Sequence, residues 1–241
     1  MKAGTLYLIP AGLGDPAWQS TLPVHARDMV CGLDCFIVEN AKTARAELRR
    51  LGYPRPLQGV DMRVLPEHGT AQDVAAAHQA LLQPLLEGRS VGLLSEAGCP
   101  AVADPGAAIV RLAHGRGIRV VPLVGASAIL LALMASGLNG QRFAFHGYLP
   151  VAAVERRTAL RELEDESRRR GQTQIFIETP YRNAALYQSL LLDCDPRTLL
   201  CVATNLTLTS EAISTRSIGV WRRSEAPMLA KQPTVFLLLA E

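Results

Sequence analysis

The sequence has few aromatic residues, 5% of 241 positions, and little excess of charge, with 25 Lys and Arg against 22 Asp and Glu. The small basic excess is spread over both halves, so no basic arm of the kind that grips nucleic acid non-specifically is present. A local basic patch for RNA is still allowed. Histidine is scarce as well, with five in all and the last at His146. A Ser-His-Asp hydrolase would need a histidine near a late strand end, and none follows. The five cysteines, Cys31, Cys35, Cys99, Cys194 and Cys201, are odd in number and scattered. Only Cys31 and Cys35 are close, without a second ligand pair, so the expectation is free thiols in a reducing cytoplasm. The carboxylates Asp15, Glu39, Glu96 and Asp104 fall at no recognisable ligand spacing, and no metal is expected. The N-terminus lacks a basic segment followed by an apolar core, so no signal peptide is expected. The uncharged run over residues 120–140 is broken by Pro122 and Gly125, and a membrane span needs about 20 unbroken apolar residues.

What is abundant is apolar: 49% hydrophobic against 20% charged residues, a globular composition long enough for one large or two ordinary domains. Short apolar runs at 4–10 and 91–94 read as buried strands, and 35–39, 61–65 and 118–123 as further strands. Helical patterns lie between them. Asp15 and Pro16 suit the start of a helix running to about Cys31. Others are expected over 40–51, from a Thr70 cap to about Gly88, over 107–114, and from about Ala128 to Ser136. Strands alternating with helices predict a doubly wound parallel sheet. The rhythm changes after Gly137: a strand over 142–148, a charged helix over 151–170, then strands at 174–178, 199–204 and 234–240, with a hairpin over 207–220. The expectation is an α/β protein of two domains, 1–146 with a mostly parallel sheet and 147–241 with a mixed sheet.

The chain is organised around residues 95–106, SEAGCPAVADPG. A strand-to-helix connection usually takes only a few residues, and a longer one in a compact domain is usually functional. Gly98 admits positive φ or close approach, while Pro100 and Pro105 stiffen the loop. Three other turns share this character: PAGLGDP at 10–16, VGASA at 124–128 and IETPYR at 177–182. All four are small, rich in Gly or Pro, and poor in hydrolytic side chains. They suit a ligand gripped by main chain at strand ends. The dinucleotide fingerprint is incomplete, with Gly12 and Gly14 but Ala17 in place of the third glycine. The serine elbow is incomplete too, since Ser127 in Gly125-Ala126-Ser127-Ala128-Ile129 lacks the last glycine.

On GTLYLIPAGLGD, FIVEN, SEAGCPAVADPG, VVPLVGASAILLALMASGL, RFAFHGYLP and IFIETPYR, the chain resembles the tetrapyrrole-methylase superfamily. These are S-adenosylmethionine-dependent methyltransferases. It is most similar to the branch that 2′-O-methylates a cytidine ribose in small-subunit ribosomal RNA, or to a less characterised bacterial offshoot of that branch. The resemblance implies a homodimer and two α/β domains with the cofactor, S-adenosylmethionine, in the cleft between them. It assigns cofactor contacts to Leu13, Glu96, Ala97, Gly98, Ala101, Ser127, Ala128, Glu178 and Leu206. Asp15 and Asp104 fall on motif positions. The chain has Glu39-Asn40-Ala41-Lys42, Thr179-Pro180-Tyr181-Arg182 and Thr204-Asn205-Leu206-Thr207. There the RNA-methylating branch typically has Glu-Asp-Thr-Arg, Ser-Pro-His-Arg and Arg-Glu-Leu-Thr-Lys. These departures spare the cofactor loops and fall where substrate is expected.

In-line methyl transfer needs chiefly alignment of nucleophile, methyl and leaving sulfur. A hydroxyl acceptor also needs a base, for which Glu39 and Lys42 are the catalytic candidates. The implied methyl acceptor is ribosomal RNA or a small molecule, and no membrane partner is expected. A non-catalytic RNA- or ribosome-binding relative, and a hydrolase using Ser127, are the alternatives of other classes.

Overall fold

The computed structural model describes residues 3–14, 17–66 and 69–240. The expected helix start at Asp15 and Pro16 lies outside the described residues. The chain divides into two compact units, Met1–Ser127 and Ala128–Glu241. The division falls earlier than the 146/147 boundary expected from the change of rhythm.

The first unit alternates strand and helix: β1 (Thr5–Ile9), α1 (Val24–Gly32), β2 (Cys35–Val38), α2 (Ala41–Arg50), β3 (Asp61–Val64), α3 (Ala71–Leu81), α4 (Gln83–Leu86), β4 (Val91–Leu94), α5 (Ala107–Gly115) and β5 (Arg119–Pro122). The sheet order is β3-β2-β4-β1-β5, and every pairing is parallel. A parallel sheet must be covered on both faces. Ile9, Phe36 and Val38 pack with Ala26 and Val30 of α1 on one face. Leu6, Ile37 and Leu93 pack with Leu81, Leu85, Ile109 and Ala113 on the other. Among the described residues between β1 and β2 a short 3-10 turn (Trp18–Ser20) precedes α1, and Pro23 takes an extended conformation at the α1 N-cap. Thr70 and Asp73 form a reciprocal capping box at α3. The expected single helix breaks at Leu82, and Pro84 sits in the first turn of α4.

The second unit begins with α6 (Ala128–Ser136), which packs against the second sheet rather than the first. That packing moves the division ahead of Gly137. Then come β6 (Phe143–Tyr148), α7 (Ala153–Arg170), β7 (Thr173–Ile177), α8 (Asn183–Asp193), β8 (Leu199–Thr204), β9 (Ala212–Ser217), α9 (Ile218–Trp221) and β10 (Thr234–Leu239). The order is β6-β7-β10-β8-β9. Only β6 and β7 pair parallel, so the sheet is mixed as expected. The hairpin expected over 207–220 is instead a single strand, β9, paired antiparallel with β8; it ends at Ser217, whose side chain caps α9. The core gathers Phe176 stacked on Phe236, and Tyr187 edge-on to Trp221. Among the described residues no helix is long and apolar enough to cross a membrane.

Candidate functional site

The order of the first sheet locates its ligand site. From β1 the chain crosses past β4 to β2, with α1 on one face. From β4 it crosses past β1 to β5, with α5 on the other face. The adjacent strands β1 and β4 therefore send their connections in opposite directions. Such a switch point opens a crevice at the carboxyl ends of the strands. The loops leaving these two strands are residues 10–14 and 95–106.

Main-chain groups join the loops. The Ala11 N–H donates to the Gly98 carbonyl at 2.9 Å, and the Gly98 N–H returns to Ala11 at 3.2 Å. Ser95 Oγ also donates to the Gly98 carbonyl, at 2.6 Å. The turn after β5 joins them through Cys99 Sγ, 3.5 Å from the Ala126 carbonyl. Gly98 lies at φ +68°, where glycine carries no side-chain penalty. A Cβ built there would meet only Leu13 Cδ2 at 3.4 Å and the Ala126 oxygen at 3.8 Å. The space in front of Gly98 is therefore open apart from Leu13 and the Ala126 carbonyl. Ala101 and Ala103 hold positive φ, 64° and 57°, at a cost of about 1–3 kcal/mol each. Asp104 braces the loop: its Oδ1 accepts from the Ala101 N–H at 3.0 Å and the Gly106 N–H at 2.7 Å.

Helix α2 braces the same region. Asn40 caps it, accepting from the Lys42 N–H at 2.8 Å. Thr43 Oγ1 donates to Glu96 Oε1 at 2.8 Å. Glu47 accepts the Gly12 N–H at 3.3 Å while paired with Arg50 at 2.5 Å. Glu39, half-buried just past β2, is pushed up to about 7 by burial and by the neighbouring carboxyls of Asp104 and Glu96. The Lys42 side chain is exposed.

The expected residues of the first unit, Leu13, Glu96, Ala97, Gly98, Ala101 and Ser127, all lie on the three turns at the ends of β1, β4 and β5. Ala128 opens α6 in the second unit. Sequence reasoning missed Thr43 and Glu47, whose partners lie 53 and 35 residues away, with no local pattern to mark them.

In the second unit Glu178 is buried at the end of β7. It accepts from the Thr179 N–H at 2.6 Å and from Arg182 at 2.7 Å. Burial raises its pKa, but the Arg182 guanidinium and the Thr179 N–H outweigh that and hold it below the ordinary value. Replacing Arg182 by glutamine is therefore expected to move the Glu178 titration upward in a carboxyl 13C NMR series; an unmoved midpoint would leave Arg182 without that role. Leu206 is buried in a turn flanked by Asn205 and Thr207, both at positive φ. A cavity of about 400 Å³ beside this turn is lined by Asn205, Ile213, Trp221, Met228 and Gln232 among others.

A family model for tetrapyrrole (corrin/porphyrin) methylases matches residues 5–219. Ribosomal RNA small subunit methyltransferase I of Xylella fastidiosa is 34% identical over 210 residues, covering 87% of this chain and 71% of that protein. The protein of the same name from Pseudomonas aeruginosa is 39% identical over 182 residues, 76% of this chain and 59% of that one. Among solved structures, the methyltransferase CobJ matches with a TM-score of 0.62 at 19% identity, covering 99% of this chain and 95% of its own. Uroporphyrin-III C-methyl transferase from Thermus thermophilus, complexed with S-adenyl homocysteine, matches at 0.54 and 19% identity over 98% of this chain and 97% of its own. These two likenesses show the fold. Loops poor in large side chains at a switch point suit a bulky nucleoside ligand. With the family model spanning most of its length, this chain belongs to the tetrapyrrole methylase family and is an S-adenosylmethionine-dependent methyltransferase.

Proposed function

We propose that the protein transfers a methyl group to a ribose 2′-hydroxyl of small-subunit ribosomal RNA, with Glu39 as general base. The observation that carries this is a half-buried carboxyl, poised near neutrality, at a strand end beside the main-chain cradle. The extended similarity to ribosomal RNA methyltransferases supports the choice of acceptor. When bound, the cofactor supplies a methyl made electrophilic by its sulfonium. Leu13, Glu96, Ala97, Gly98, Ala101, Ser127 and Ala128 are the proposed contacts, with Glu178 and Leu206 added on the resemblance alone. Glu39 takes the hydroxyl proton as the oxygen–carbon bond forms and the carbon–sulfur bond breaks, releasing a neutral thioether. Lys42 is the weaker candidate because its side chain is exposed to solvent. Action in the cytoplasm follows from a ribosomal acceptor, and a homodimer from the family resemblance; both belong to the same proposal.

Radiolabelled cofactor incubated with RNA, protein and small-molecule fractions of a deletion strain is the test. Label is expected in the ribosomal RNA; label in the small-molecule fraction alone would reassign the acceptor. A Glu39→Gln variant should bind cofactor normally and lose about 10²–10⁴ in turnover. The wild-type rate should rise with pH through about 7, as Glu39 ionises. A flat profile over that range would remove Glu39 from the chemistry.

A further inference from the structure

Helix α2 has three faces, set by about 100° of turn per residue. Ala44 and Leu48 are buried in the core of the first unit. Thr43 and Glu47 turn to the candidate site, where Thr43 Oγ1 donates to Glu96 and Glu47 accepts the Gly12 N–H. Lys42, Arg45, Ala46 and Arg49 form the third face, since residues three, four and seven apart share one stripe of a helix. Lys42, Ala46 and Arg49 are exposed, and Arg45 is half-buried. The helix holds four basic residues against one acidic, an excess of three that equals the excess of the whole chain. Its one acid, Glu47, is paired with Arg50. Among the described residues Lys42, Arg45 and Arg49 form no ion pair, and Arg45 donates to the Ala41 carbonyl at 3.3 Å. The Arg168-Arg169-Arg170 run at the end of α7 is the contrast. There Asp165 pairs with Arg168, and Glu166 with Arg169 and Arg170, so the charge is answered within the helix.

We infer that the Lys42, Arg45 and Arg49 face of α2 is a docking surface for the phosphate backbone of the RNA strand that carries the methylated ribose. This rests on the acceptor being RNA. Three cations without acidic partners complement an anionic polymer, and releasing its counterions supplies the affinity. The stripe runs about 10 Å along the helix axis, enough to meet successive phosphates of one strand. Such contacts fix the position of a strand without reading its sequence. The neighbouring face of the same helix is bonded to Gly12 and Glu96. A strand laid on the stripe is therefore held at a set distance from the loops that leave β1 and β4.

Because phosphate contacts carry no sequence information, a fluorescein-labelled single-stranded oligoribonucleotide of mixed sequence is a sufficient probe. Its anisotropy is followed with the intact protein over a series of salt concentrations. Each single-strand phosphate contact contributes about −0.7 to the slope of log affinity against log salt. Arg45→Gln with Arg49→Gln should therefore flatten the slope by about 1.4 and weaken binding about tenfold or more at low salt. Affinity for S-adenosylhomocysteine should hold, since neither arginine lies on the site loops. Arg168→Gln with Arg169→Gln should leave slope and affinity close to wild type. Wild-type slope and affinity in the α2 variant overturn the assignment, as does an equal loss in the α7 variant. Should the double α2 variant fail to fold, Arg49→Glu alone, at an exposed position, decides by the same two readouts. Failure of the acceptor reading would show differently. Methyl label absent from ribosomal RNA, with the arginine dependence intact, would sink the acceptor and leave the RNA surface standing.

Discussion

Replacing Gly98 by arginine is expected to abolish cofactor binding while leaving the protein folded. The Cβ direction at Gly98 leads between Leu13 and the Ala126 carbonyl, into the space bounded by the three turns. A guanidinium there would fill the cradle and set a positive charge against a cationic ligand. Isothermal titration with S-adenosylhomocysteine should show a loss of at least about 100-fold, roughly 2.7 kcal/mol. Because that ligand is uncharged at sulfur, the loss measures exclusion rather than repulsion. Gly98→Ala separates bulk from backbone strain. It meets ordinary contacts but must hold φ +68°, so it should cost about 1 kcal/mol in stability and only a few-fold in affinity. Undiminished affinity in the arginine variant would show that the 95–106 loop is not the site.

Truncating Phe36 to alanine should produce the largest loss of stability, about 3–5 kcal/mol in denaturant unfolding. The ring is fully buried in β2, edge-on to Tyr53 at 6.1 Å. Across the sheet it faces Gly92, its register partner on β4. A Cβ on Gly92 would lie 2.8 Å from Phe36 Cδ1 and 2.4 Å from Ile9 Cδ1, so the glycine exists to admit both side chains. Emptying that space removes packing from the two strands that deliver Glu39 and the 95–106 loop. A loss under about 1 kcal/mol would mean that the neighbours collapse into the void and that the site is less firmly founded than the packing indicates.

Much of this was legible in the residue order. The expected runs marked all five strands of the first sheet closely; the inner strands β2 and β4 are buried throughout and so apolar throughout, while the edge strands β3 and β5 are only partly buried. The SEAGCPAVADPG stretch declared itself by length, Gly and Pro. Asn40 and Thr70 were recognisable helix starts; Thr70 caps as expected, and the structure adds Asn40 as the cap of α2. The stretch after Pro16 was harder. A helix was expected to run on to Cys31, but Pro23 supplies the start of α1, and local composition does not distinguish one long helix from a turn followed by a shorter one. The end of the first unit was equally hidden. The apolar helix α6 packs against the sheet that follows it, burying Ala132, Leu133 and Ser136, and only packing decides which sheet an apolar helix covers.

The sequence by itself determined the family, the alternation of strand and helix, and the turns small enough to receive a large ligand. Those features depend on side-chain size and on neighbours a few residues apart, so they can be read along the chain. Tertiary structure alone decided that β1 and β4 lie side by side, that Ala11 and Gly98 exchange hydrogen bonds, that Thr43 reaches Glu96, and that the carboxyls of Asp104 and Glu96 neighbour Glu39. Each depends on groups brought together from distant parts of the chain. A carboxyl's proton affinity is set by the charges and burial around it, which no run of neighbouring residues records.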